Sequence, residues 1–107
     1  MNISVQKQQG IINIQGRFDF IVHREFKKCY TDMLDNPEVR EIEINMRDTR
    51  FIDSAALGML MLLRERAHAV DKSVVLSNPS GTVFTLLEVA NFDRIFLIKG
   101  LTSQSGR

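Results

Sequence analysis

The sequence predicts an α/β domain built on a mixed β-sheet of about five strands, with helices mainly on one face. Two observations carry this. Ile3-Ser4-Val5-Gln6, Ile12-Asn13-Ile14-Gln15 and Glu41-Ile42-Glu43-Ile44-Asn45 each alternate apolar and polar residues, the mark of a strand with one buried face. Between and after these stretches, apolar residues recur at helical spacing. A parallel sheet covered on both sides shows continuous apolar runs instead. The polar alternate positions therefore predict a sheet left open on one side.

The elements follow in order. The first two alternating stretches are half-buried strands, and the short gap around Gly10 predicts a hairpin. Gly16-Arg17-Phe18-Asp19 breaks the pattern. From Phe20 a helical period begins, with Val22, Phe26, Cys29 or Tyr30, and Met33 on one side. Asp19 is a candidate N-cap, because its carboxylate can accept from free N–H groups of the first turn. Asn36-Pro37 ends this helix, since proline disfavours helical geometry in the residue before it. Glu41–Asn45 is the third strand, and Met46-Arg47-Asp48-Thr49-Arg50 is a polar connector. Asp53 or Ser54 caps a second helix running to about Val70. Ser73–Ser77 is a fourth, more buried strand. Asn78-Pro79-Ser80-Gly81 turns into a third helix, with Val83, Leu86, Leu87 and Ala90 inward. Asn91 suits a left-handed cap, and Ile95–Ile98 is a last strand. Residues 1–100 form the domain and residues 101–107, small and polar, a flexible tail.

Composition narrows the function. The 107 residues are 44% hydrophobic and 25% charged, a chain long enough to bury a core without disulfides or metals. A net charge of +1 gives no strong field for nucleic acid or an anionic membrane. One cysteine, Cys29, cannot form an internal disulfide and fits a reducing compartment. Met1–Gln6 lacks the layout of a signal peptide. Apart from one glycine, the longest apolar run is Ala55–Leu63, well short of the ~20 residues a membrane span needs. The expected location is cytoplasmic, without membrane insertion.

The chain is organised around Phe51-Ile52-Asp53-Ser54-Ala55-Ala56-Leu57-Gly58-Met59-Leu60. With Ala56, Leu60, Leu63 and Ala67 facing the sheet, Gly58, Met61 or Leu62, and Glu65 point away. Ala55, Gly58, Met59 and Leu62 then form an uncharged surface with no charge until Arg64. Flexible thioethers on such a surface suit protein docking; the alternative is that neighbouring elements cover it. Ser54 opens this helix. The structural role for such a serine is a cap. The functional one is a phosphorylation site, where about −1.5 to −2 charges would arrive beside Asp53 and near Asp19. A partner packing over Ser54 would then meet a dianion costly to desolvate.

Other chemistry is poorly supported. A nucleophile at Ser54 or Cys29 needs a base, His23 or His68, held and oriented by a third group. Both histidines fall on polar helix faces, and no Gly-x-Ser-x-Gly elbow surrounds Ser54. Two distant histidines and one cysteine make no metal site, and no phosphate-binding Gly-rich loop is present. No cofactor is expected. Lys27-Lys28 and Arg64 with Arg66 read as solvated faces. Arg47 and Arg50 flank the central loop and can steer an acidic partner.

Asp53-Ser54-Ala55-Ala56-Leu57-Gly58 resembles the STAS domain family, in particular the bacterial anti-sigma factor antagonists. Gly16-Arg17-Phe18-Asp19 resembles the family's glycine-to-aspartate turn after the second strand, and Phe51-Ile52-Asp53-Ser54 its phosphorylation loop. Leu86-Leu87 with Phe92-Asp93-Arg94-Ile95-Phe96 resembles its C-terminal pattern. The resemblance spans nearly the whole chain. It implies a STAS-like single domain and a partner switch. The unmodified form would bind an anti-sigma factor that is a serine kinase. Phosphorylation of Ser54 would release it, and a PP2C-like serine phosphatase would restore the complex. Asp19 matches a family position near that serine. Ala55-Ala56 stands where many members carry Ser-Gly or Thr-Gly. A second implied role is a STAS-like cytosolic subunit of a lipid-transporting ABC system, with the same helix docked on the ATPase.

Overall fold

The computed structural model describes residues 1–100; the expected tail, 101–107, lies outside them. Strands β1 (Asn2–Gln6) and β2 (Gln9–Asn13) form the expected antiparallel hairpin, but β2 begins earlier than Ile12 and β1, expected half-buried, is exposed throughout because it is the edge of the sheet. Gly10 is not its turn. The turn is Lys7-Gln8, both residues left-handed at φ 50° and 72°, the geometry that two-residue hairpins require. Gly10 lies within β2, paired with Val5, where a Cβ would come 2.7 Å from the Met33 sulfur. The backbone N–H groups of Arg40 and Glu41 donate to the Gln8 carbonyl at 2.7 and 3.2 Å, which holds the unusual turn in place.

After β2 comes β3 (Gly16–Phe18), a 3₁₀ turn (Phe20–Val22) and α1 (His23–Leu34). Asp19 caps that turn, accepting from the Ile21 N–H, rather than the first turn of α1 itself. Phe26, Tyr30 and Met33 are the buried stripe of α1. The helix ends before Asn36-Pro37, and the Lys72 ammonium donates to the Met33 and Asn36 carbonyls at 3.2 and 2.6 Å. That cation adds to the bonds these carbonyls already accept from the Asn36 and Val39 N–H groups, and a positive charge suits the C-terminal end of α1.

β4 (Glu41–Asn45), β5 (Thr49–Ile52), α2 (Ser54–Ala69), β6 (Ser73–Ser77), α3 (Gly81–Val89) and β7 (Leu97–Lys99) complete the domain. The five-stranded sheet has the order β1-β2-β4-β6-β7, antiparallel only at the β1–β2 edge. Two segments read as irregular from sequence, Gly16–Phe18 and the connector before Phe51, instead pair in parallel as a separate two-stranded sheet. The buried Thr49 hydroxyl donates to the Ile14 carbonyl at 2.7 Å and ties that small sheet to the end of β2. The last strand is Leu97–Lys99, later than predicted, because Phe92–Arg94 forms a 3₁₀ turn that carries Phe92 and Phe96 into the core. Asn91 takes the left-handed position at φ 63°. Leu86, predicted inward, is exposed, and Ala90 is half-buried.

One core cluster gathers the buried residues of α1, α2 and α3 with Ile12, Ile42, Ile44 and Leu76 of the sheet. The opposite face carries Gln9, Asn13, Glu41, Glu43, Asn45 and Ser77. Gln9 donates to Glu41 and Glu43 at 2.7 and 3.0 Å, Ser77 to Glu43 at 2.6 Å, and Asn45 to Asn13 at 2.8 Å. This lateral network explains how a largely parallel sheet keeps a face free of helices: its side chains satisfy one another across the strands.

The Lys7-Gln8 turn yields a direct expectation. Replacing it with Asn-Gly, which adopts left-handed angles at lower cost, should raise stability by about 1 kcal/mol. Urea denaturation should show a higher midpoint at unchanged slope.

Candidate functional site

Asp53 is extended, at φ −123° and ψ −178°, and its Oδ1 accepts from the Ala56 N–H at 2.9 Å. Between the two candidates for the cap of α2, it is Asp53 that serves. Ser54 is therefore the first helical residue, and its side chain is exposed. The other Asp53 oxygen accepts from the Phe20 N–H at 3.4 Å, linking the start of α2 to the turn after β3. That link brings Asp19 and Asp53 onto neighbouring segments. Asp19 is buried, with Oδ1 accepting from the Ile21 N–H at 3.1 Å and Oδ2 from Arg17 Nε at 2.8 Å. Both carboxylates thus have fixed architectural partners.

Along α2, Ala56, Leu60, Leu63 and Ala67 are the buried stripe, as the periodicity predicts. Gly58 and Leu62 are exposed, while Ala55 and Met59 are half-buried. A Cβ added to Gly58 would meet nothing within 4 Å. Among the described residues no packing requires glycine there, although an interior helical glycine costs about 0.5–1 kcal/mol relative to alanine.

Sequence reasoning missed the largest exposed apolar groups at this end of the molecule. Phe20 is 65% exposed, Ile21 82% and Phe51 43%. Arg17 stands opposite Phe51 in the small sheet, with its guanidinium 4.7 Å from the ring centre. The Phe20 ring stacks on His23 at 4.8 Å. A signal was available: Phe20, Ile21 and Val22 are consecutive, and consecutive helical residues cannot all share one face.

The nucleophile reading finds little support in this geometry. Burial, and after it the Glu25 carboxylate, push the Cys29 thiol above its ordinary range, away from reactive thiolate. His23 is occupied against Phe20, and His68 lies near the far end of α2, beside Arg64 and Lys72 in a shallow hollow. Among the described residues, no three ligating side chains gather to hold a metal, and no helix is long and apolar enough to cross a membrane.

The division of labour between Asp53 and Ser54 has a measurable consequence. Asp53→Ala removes a capping acceptor and should cost about 1 kcal/mol. Ser54→Ala should change stability by less than about 0.5 kcal/mol, as for other exposed positions. Chemical denaturation of the two variants checks the difference.

Comparison with known proteins matches this geometry to a family. The family profile "Mlab, STAS domain" matches residues 1–99. A STAS-domain containing protein of Pseudomonas aeruginosa (strain UCBPP-PA14) is 38% identical over 95 residues, covering 89% of this chain and 92% of its own. Among solved structures, a Thermotoga maritima protein taken to be an anti-sigma factor antagonist superposes with a TM-score of 0.84 at 22% identity, covering 97% of this chain and 89% of its own. The unphosphorylated form of the anti-sigma factor antagonist SpoIIAA superposes with a TM-score of 0.78 at 19% identity, covering 91% of this chain and 85% of its own. The phosphorylated form of SpoIIAA, a Bacillus cell fate determinant, gives a TM-score of 0.71 at 18% identity, covering 91% and 88%. A mixed sheet with its helices on one face, matched by profile over nearly every residue, shows that this chain belongs to the STAS domain family.

Proposed function

We propose that this domain is a phosphorylation-controlled partner switch, an anti-sigma factor antagonist whose unmodified form binds an anti-sigma factor of the serine-kinase type. The observation that carries the proposal is the setting of Ser54. It is exposed at the first position of α2, is not the helix cap, and follows directly on an apolar surface. Phe20, Ile21 and Phe51 offer that surface on one side, and Gly58 and Leu62 on the other. The role is one of binding, not catalysis, in keeping with the family.

The energetics suit a switch. Burying an exposed Phe or Ile side chain contributes about 1.5–3 kcal/mol, so a few such groups sustain a specific complex. Gly58 leaves room for a partner's backbone to approach α2 closely. A phosphate on Ser54 would gain only about 0.3–1 kcal/mol from the helix N-terminus. Against that stand the nearby Asp53 carboxylate and a desolvation penalty of several kcal/mol for an ion covered by an apolar partner. Each ~1.4 kcal/mol lost weakens binding tenfold. A PP2C-like serine phosphatase would reset the cycle. Asp19 and Asp53 shape the phosphosite by fixing the loop and the helix start.

Calorimetric titration with the host's anti-sigma kinase tests this. Ser54→Ala should bind like the unmodified protein and Ser54→Asp at least about tenfold more weakly. Equal binding by both would contradict the switch. Stable association with a transport ATPase, with Ser54 unmodified, would instead favour the ABC-subunit role. Two further variants map the surface. Gly58→Ala should stabilise the free domain by about 0.5–1 kcal/mol yet weaken the complex. Ile21→Ser should weaken the complex with little effect on folding.

A further inference from the structure

Among the described residues the five-stranded sheet has two unpaired edges, β1 and β7, and they differ. β7 is three residues long and ends on Lys99, both features that discourage edge pairing. β1 is five residues long, Asn2-Ile3-Ser4-Val5-Gln6, with no charge and no proline, and its register against β2 is free of bulges. Every residue of β1 is exposed, including Ile3 at 50% and Val5 at 45%. An edge of this kind is a template for another strand.

We propose that β1 is a self-pairing surface, on which a second copy of this chain adds its own β1 antiparallel about a two-fold axis at Ser4. The backbone sets the register. A two-residue hairpin closes on a hydrogen-bonded pair, here Gln6 with Gln9, and such pairs alternate along an antiparallel ladder. Ile3 and Val5 therefore face β2 as the non-bonded pairs, and their N–H and C=O groups point outward. In an antiparallel copy centred on Ser4, Ile3 of one chain stands opposite Val5 of the other. The outward groups of both residues then meet as bonded pairs on each side of the axis.

The side chains agree with that register. Ile3 is opposite Ile12 and Val5 opposite Gly10 in the hairpin, so both lie on the helix-bearing face. Across the axis each Ile3 would cover a Val5, an apolar contact between branched side chains of the kind that stabilises sheets. On the open face Ser4 meets Ser4 and Asn2 meets Gln6, uncharged pairs that repel nothing. The shorter edge ending on Lys99 plays no part, so assembly closes at the dimer instead of growing into a fibre. The contact is small beside the ~1,200 Å² of a stable complex, so the dimer is weak and concentration-dependent.

Analytical ultracentrifugation of the full chain, up to about 1 mM, tests the proposal. The expected result is a monomer–dimer equilibrium for the unmodified protein and a monomer for Val5→Pro, which removes an outward N–H while sparing the β1–β2 ladder. Circular dichroism should be unchanged. Ile3→Lys and Val5→Glu chains should each be monomeric alone and form a mixed dimer together, because the register sets those positions opposite. A monomer throughout for the unmodified chain would overturn the proposal. So would a dimer that survives Val5→Pro, or a Lys–Glu mixture that stays monomeric.

Discussion

The carboxylate of Asp53 is the interaction on which the rest of the site depends. One oxygen caps α2 through the Ala56 N–H, and the other reaches the Phe20 N–H across a turn of distant sequence. A helix must begin somewhere, and its first N–H groups need acceptors. Here the Asp53 side chain supplies one such acceptor, to the Ala56 N–H, and also fastens the β3–α1 turn against the helix start. Ser54 is left with no capping duty at the point where two apolar segments meet. Under the proposed switch, a modification there would act on a segment already held in place.

The sheet provides the rigid backing. Its helix-bearing face is packed with Ile12, Ile42, Ile44 and Leu76, against which Ala56, Leu60, Leu63 and Ala67 of α2 seat. Small residues at both ends of that stripe let α2 lie close. On the outer side of α2, Gly58 and Leu62 are exposed, while Leu57, Met59 and Met61 are partly buried against the core. The opposite side of the sheet is held by paired amides, carboxylates and a serine rather than by helices. A domain of this size thus carries a helix-covered face and an open sheet face together.

Much of this was legible in the sequence. Alternation located the hairpin strands and β4, and the helical period located α1 and the buried stripe of α2, because burial on one face imposes those periods directly. What escaped notice had physical causes. The hairpin turn uses Lys7-Gln8, not a glycine pair, and the nearby Gly10 is a packing residue under Met33, so the usual turn signal pointed two residues too late. β3 and β5 are three and four residues long, too short to show a period. Exposure of β1 followed from its place at the sheet edge, which alternation does not report. Of the site, Ser54, Asp53 and Asp19 stood out by residue type. The exposure of Phe20, Ile21 and Phe51 did not, since apolar residues are ordinarily assigned to the core until tertiary structure leaves them outside.

The proposed switch requires that the hydroxyl at the head of α2 be chemically modified in the cell. Intact mass of the protein isolated from its native host, with the modified residue mapped by peptide sequencing, answers this most directly. The expected result is a fraction of molecules bearing one phosphate, located on Ser54. A protein that carries no phosphate at Ser54 under any growth condition, or carries it only at another residue, would contradict it.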